Sequence, residues 1–282
     1  MKILITGANG YIGQGVVSEF VQRGVDVIAS DISIDNIKDD ICKISGNIFE
    51  LEDPYTYLHE PDILVHLAWR DGFKHNADSH MIDLPKHYLF LKKMMDSGVK
   101  KVCVMGSMHE VGFYEGSINE NTPCNPMSLY GIAKNALRNA VSLYAEERKI
   151  DFMWLRGYYI VGHAEYGSSI FSKIVQAVRE GKKEFPFTTG QNQYDFLKYE
   201  DFCKQVVSAA LQDDIKGIIN CCSGYPQKLA DAVEDFIKEK KYPIKLKYGV
   251  YPERAYDSKA VWGDAKMINE IMAKEEENGQ FK

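Results

Sequence analysis

The chain has 282 residues, 45% of them hydrophobic and 26% charged, with a formal net charge of −6; this is the composition of a soluble globular protein with ample material for a core. The acidic balance, with no basic stripe interleaved with aromatics, excludes non-specific nucleic-acid and anionic-membrane binding from the expected functions. No apolar run approaches a membrane span, a strand signal already starts at residue 2, and the seven histidines and six cysteines show no metal-ligand spacing, so a cytoplasmic protein with no leader, no membrane contact and no metal is expected.

Residues 2–6 form a short apolar run that predicts a strand, followed directly by Gly7-Ala8-Asn9-Gly10-Tyr11-Ile12-Gly13. From Tyr11 to about Arg23 the apolar residues Ile12, Val16, Val17, Phe20 and Val21 recur at helical steps. Strand, glycine turn and helix make an anion site, because the turn lets the backbone approach a pyrophosphate and the helix N-terminus presents free N–H groups. Gly7, Asn9, Gly10, Tyr11, Ile12 and Gly13 are therefore candidate cofactor residues. A second strand over 25–30 ends at Asp31, 18 residues beyond Gly13. A carboxylate there can accept hydrogen bonds from both ribose hydroxyls of NAD and would repel a 2′-phosphate. NAD(H) is the preferred cofactor, while Ser30 and Ser33 leave NADP(H) open.

A short strand around 42–45 and a strand over 61–66 follow, then a helix over 84–97 that ends at Gly98 and that Pro85 begins or kinks. The strand over 101–105 leads to Ser107, and a loop with Gly112, Gly116, Pro123 and Pro126 leads into a helix over 128–148 and a strand over 151–156. This alternation predicts an α/β fold, a Rossmann-type doubly wound parallel sheet with helices on both faces. Ligands on such sheets bind at the carboxyl ends of the strands, where residues 7–13, Asp31, His66 and Ser107 fall. Beyond residue 157 the alternation breaks into a helix over 169–180, a loop over 190–195, a helix over 199–211 and a strand over 215–221. The expected division is a dinucleotide-binding domain of residues 1–157 plus 199–222 and a smaller substrate lobe of 158–198 plus 223–282. The polar last ten residues are expected to fray. Cys103, Cys203, Cys221 and Cys222 sit in apolar runs and read as buried thiols, the adjacent pair pointing to opposite faces of a strand.

Tyr130 and Lys134 are four residues apart on the predicted helix, hence on one face. A free tyrosine titrates near 10; a neighbouring cation favours the phenolate, so the lysine is expected to lower that value and make the phenol a usable acid or base. Ser107, at a strand end, could hold a carbonyl oxygen against it. The competing structural reading has Ser107 capping a turn and Tyr130 packing in an interface.

In this order the motifs resemble the extended short-chain dehydrogenase/reductase family, the NAD-dependent nucleotide-sugar epimerases, dehydratases and ketoreductases, over nearly the whole chain. Residues 6–13 resemble its cofactor turn and His66-Leu67-Ala68-Trp69 its fourth-strand motif. Ser107 with Glu110-Val111-Gly112 is similar to its serine motif, and residues 130–134 to its catalytic helix. The resemblance implies Ser107, Tyr130 and Lys134 as catalytic residues. It adds Asn47, Ile48, Leu67, Ala68, Tyr130 and Lys134 to the cofactor contacts. It also implies substrate contacts from Met108, His109, Tyr158, Tyr159 and Arg254, and a homodimer built on the Tyr130 helix. Three departures stand out: Met108 and His109 replace the acid pair of the family's dehydratases, Tyr194 replaces an arginine before Asp195, and Asn47 replaces an acid near the adenine. His109 also reads as a solvated loop residue, Tyr158 and Tyr159 as core aromatics, and Arg156 as a core buttress.

The implied function is reduction of the 4-keto group of a nucleoside-diphosphate 4-keto-6-deoxyhexose by NAD(P)H. Residues 106–112 and 125–130 are most similar to the reductases that convert dTDP-4-dehydro-6-deoxyglucose to dTDP-fucose. A nucleotide-sugar 4-epimerase with tightly bound NAD uses the same three groups, and a non-catalytic NAD-sensing protein is the alternative from another class.

Overall fold

Strands covered on both faces read as unbroken apolar runs, and the strands Ile63–His66 and Lys101–Ser107 have no exposed position at all. The computed structural model describes residues 1–163, 169–252 and 257–279. Its main sheet contains β1 (Lys2–Thr6), β2 (Asp26–Asp31), β3 (Cys42–Ser45), β4 (Ile63–His66), β5 (Lys101–Ser107), β6 (Asp151–Gly157) and β7 (Gly217–Cys221). They lie in the order β7-β6-β5-β4-β1-β2-β3, with every pairing parallel. The Rossmann-type fold expected from the alternation is therefore present. Thr6 pairs with His66 and Ser30, and His66 with Val104, so the carboxyl ends of four strands line one edge. The strand order reverses between β1 and β4, the place where such sheets open a ligand crevice.

Alternation along each strand feeds two cores. Ile3, Ile5, Ile63 and Val65 face α1 (Tyr11–Gln22), while Leu4, Leu64, Val102 and Val104 face α2 (Ser79–Ser97) and α3 (Leu129–Arg148). A separate core joins α4 (Ile170–Arg179) to α6 (Leu229–Glu239) through Phe171, Ile174, Val233 and Phe236. Between these α5 (Tyr199–Leu211) packs against α1. A second sheet runs in the order 226–228, 193–198, 260–263, 116–118, and strand Tyr159–Val161 joins it through 193–198. Fully buried Asp195 ties it together, accepting from the Ser223 amide and hydroxyl (both 2.7 Å), the Gly224 amide (3.0 Å) and the Gly263 amide (3.1 Å).

Three elements differ from the sequence expectation. Helix α2 starts at Ser79 and carries Pro85 inside it. A proline there removes one backbone bond, and the helix continues because Asp83 is held by Arg70 and Lys86 and because Phe90, Leu91, Met94 and Met95 are buried. The expected loop after residue 190 becomes strand Gln193–Lys198. The last helix, α7 (Lys266–Asn278), does not fray at residue 273: Ile268 and Ile271 sit in the main-sheet core, and Glu275 pairs with Arg23. Helix α7 packs on the main-sheet core and on α5, and strand Gly116–Ile118 pairs in the second sheet. All six cysteines are free thiols, and no helix among the described residues is long and apolar enough to cross a membrane.

A Cβ at Gly13 would lie 2.1 Å from the Gly7 carbonyl oxygen, a backbone atom that cannot step aside. Gly13→Ala should therefore destabilise the protein by about 1–3 kcal/mol, as overpacking does; urea unfolding should show a lower midpoint at an unchanged slope.

Candidate active site

The turn between β1 and α1 closes with the Gly10 amide donating to the Gly7 carbonyl (3.1 Å) and the Gln14 amide to the Gly10 carbonyl (3.1 Å). Gly10 is the N-cap of α1, no side chain caps it, and no acid lies in its first turn. Asp31 accepts from the amides of Asn9 (2.9 Å) and Ile32 (2.7 Å), which fixes the carboxylate beside the turn. Asn9 in turn accepts from the Asn36 amide (2.9 Å). Leu67 follows β4, its amide on the Thr6 carbonyl (3.0 Å), and so brings Ala68 to the same edge. Asn47 caps the turn Ile48–Glu50 and donates to Glu50 (2.7 Å), while Ile48 is buried. The Tyr11 hydroxyl donates to the Gly162 carbonyl (2.6 Å). An open helix N-terminus with a fixed carboxylate at the next strand end fits a dinucleotide.

Ser107 ends β5. Its hydroxyl accepts from the His109 amide (3.3 Å), and its amide donates to Glu110 (2.5 Å). Glu110 is fully buried, accepts from the Trp154 indole with both oxygens (2.8 Å each), and lies 3.7 Å from the guanidinium of fully buried Arg156. Glycine is required at 106, because a Cβ there would sit 2.1 Å from that indole nitrogen. Burial raises the Glu110 carboxyl, and Arg156 pulls it back. Arg156 also donates to the Asn119 carbonyl (3.2 Å), so it buttresses the core.

The first turn of α3 is capped partly from elsewhere. Ser128 accepts from the Gly131 amide (3.1 Å), Asn76 from the Leu129 amide (3.2 Å), and the His75 carbonyl from the Tyr130 amide (2.8 Å). Lys134 is 3% exposed; its ammonium donates to the Met105 carbonyl (2.7 Å) and lies 3.8 Å from the centre of the Trp69 ring. It stands 6.0 Å from the Tyr130 ring centre. Burial lowers Lys134 to about 7, against the pull of Glu110. The expected lowering of Tyr130 is reversed: burial pushes the phenol up to about 12, with the Ser107 hydroxyl opposing and Glu110 adding to the rise. The sequence shows the i, i+4 spacing but not that the phenol is partly desolvated and that the ammonium is spent on Met105 and Trp69.

A wall of rings around Tyr130 was not foreseen. His75 lies parallel to it (centroids 5.5 Å apart), with His80 at 5.3 Å, His109 at 6.0 Å and Trp69 at 6.1 Å. His75 and His109 are 4.3 Å apart, and burial lowers both, His109 to about 4. The Trp69 indole donates to His80 Nδ1 (3.1 Å), so the proton of that imidazole is on Nε2, which donates to the Lys74 carbonyl (3.0 Å). Behind Trp69, His87 stacks at 4.5 Å and bonds His66 (2.8 Å), which bonds Thr6 (2.7 Å). The one available signal was density, four of seven histidines falling between residues 66 and 87.

Among the other candidates, Met108 is buried in a cluster with Val111, Ile118 and Val261. The Tyr158 hydroxyl donates to Asn220 (3.3 Å), and Tyr159 packs on Tyr194 (4.7 Å). Arg254 lies outside the described residues. Ser107, His109, Tyr130 and Lys134 come together; Tyr158 and Tyr159 are held in packing. Among the described residues, no three potential metal ligands converge.

A family model described as the NAD dependent epimerase/dehydratase family matches residues 3–222. The chain is 44% identical over 269 residues, 93% of its length and 99% of the relative's, to dTDP-6-deoxy-L-talose 4-dehydrogenase (NAD(+)) of Aggregatibacter actinomycetemcomitans. Solved structures with the same fold include the dTDP-glucose 4,6-dehydratase DesIV of Streptomyces venezuelae, at a TM-score of 0.82 and 17% identity, covering 96% of this chain and 90% of that one. The UDP-glucose 4-epimerase of Thermotoga maritima has a TM-score of 0.81 at 21% identity, covering 96% and 92%.

Removing the charge of Glu110 strands Arg156 in the core. Glu110→Gln should cost about 3 kcal/mol of stability, the usual penalty for breaking a buried pair, seen as a lower urea midpoint at neutral pH.

Proposed function

The chain belongs to the NAD-dependent epimerase/dehydratase family, and on that premise we propose that it reduces the 4-keto group of a dTDP-4-keto-6-deoxyhexose with NADH. The observation that carries this reading is the meeting of buried Ser107 and Lys134 with half-buried Tyr130, whose phenol is pushed up to about 12 by desolvation. At neutral pH such a phenol is protonated, the form that donates to an oxygen gaining charge. The N-terminus of α1 and Asp31 would hold the cofactor, which supplies the hydride when bound. The Ser107 hydroxyl hydrogen-bonds the reacting oxygen, and Tyr130 delivers the proton to it. Lys134, titrating at about 7, supports the phenolate left behind.

Met108 and His109 stand where the resemblance puts the acids of a dehydratase, which argues against loss of water. The name of the 44% identical relative supports both dTDP and the sugar 4-position, and it favours 6-deoxy-L-talose over fucose as the product sugar. Exposed Ile82 and Leu89 on α2 and Ile132 and Leu143 on α3 support a homodimer through these two packed helices.

Incubation with NADH and a dTDP-4-keto-6-deoxyhexose should consume NADH and add two hydrogens to the sugar, with NMR of the product fixing its stereochemistry. Tyr130→Phe should lower kcat by about 10²–10⁴-fold while NADH still binds. No consumption by the unaltered protein, together with NAD retained through gel filtration, would replace this reading with a 4-epimerase. An unchanged phenotype of the Phe variant in cells would favour a sensor. For the assembly, Leu89→Glu with Leu143→Glu should halve the mass seen by light scattering and leave the fold intact.

A further inference from the structure

Lys134 meets two described groups at close range, the Met105 carbonyl at 2.7 Å and the Trp69 ring at 3.8 Å. The ring is not free to drift. Its N–H is bonded to His80, whose other nitrogen is bonded to Lys74, and its face is stacked on His87 with the planes 16° apart. We propose that Trp69 is a positioning residue, its indole face holding the Lys134 ammonium against the Met105 carbonyl and keeping the lysine charged where water is excluded. This rests on the reading of Lys134 given above and adds a group that acts only through it.

The electrostatic surroundings make the ring's contribution decisive. Glu110, beyond β5, is the carboxyl that favours the ammonium, and its charge is already shared with Trp154 and Arg156. Tyr130, on the same helix, is protonated at neutral pH. His66 on β4 and His87 on α2 feel the lysine's charge and are both neutral, burial having lowered His66 well below its usual value and His87 to about 3. An indole face is the strongest of the aromatic partners for a cation, and the contact gains when the cation is desolvated.

The test uses the full-length protein labelled with [15N]lysine, the Lys134 Nζ resonance being assigned by its loss in Lys134→Met. In Trp69→Leu the titration midpoint of Lys134 should fall by about one pH unit. Replacing Trp69 alone by tryptophans with successive ring fluorines, which withdraw ring charge but keep the shape and the N–H, should lower the midpoint stepwise. In turnover, the high-pH limb of kcat should move down with it, because activity needs the charged lysine and is lost as pH rises through its midpoint. A midpoint unmoved across the fluorinated series overturns the proposal, and that series decides alone if the leucine variant does not fold. The NMR readout needs no substrate, so failure of the sugar assay would overturn the functional reading and leave this one standing.

Discussion

Charge taken out of water governs this site. Lys134, Glu110 and Arg156 are each at most 3% exposed, and a buried ion persists only where geometry compensates the lost hydration. The compensation comes from several strands: the Met105 carbonyl from β5, Trp154 and Arg156 from β6, and Trp69 from the end of β4. It therefore depends on register. Val104 pairs with Trp154 and Gly106 with Arg156, and a slip of one residue would turn those side chains to the other face of the sheet. Glycine at 106 is part of the same arrangement, since the indole crosses the space a side chain would fill.

The same dryness sorts the titratable groups. Burial pushes the Tyr130 phenol up, and it pushes the Lys134 ammonium and the imidazoles of His75, His87 and His109 down. Lys134 is left with the Met105 carbonyl and the Trp69 ring as its close contacts.

Much of this was legible in the chain. The apolar run, glycine turn and helical period of residues 2–23 anticipated β1, its turn and α1, Asp31 fell at a strand end as its spacing implied, and the structure brings Ser107, Tyr130 and Lys134 together. What was hidden depends on distance through space. Nothing in periodicity says that Trp69 lies over a lysine 65 positions later, or that His75 and Asn76 reach the start of α3. Pro85 misled the start of α2 because a proline marks a weak point in a helix, whereas the packing of Phe90, Leu91 and Met94 decided its extent. The direction of the Tyr130 shift was misread for a related reason: spacing along a helix gives neighbours, not dielectric.

The loop between β4 and α2 supplies the carbonyl of His75 to the amide of Tyr130 itself. The backbone proton of Tyr130 is thus sequestered by a segment from another part of the chain. An amide held in this way exchanges with solvent only when its partner lifts away. Deuterium uptake at that single position is therefore a clock built into the protein, counting how often the wall of rings parts from the residue it encloses.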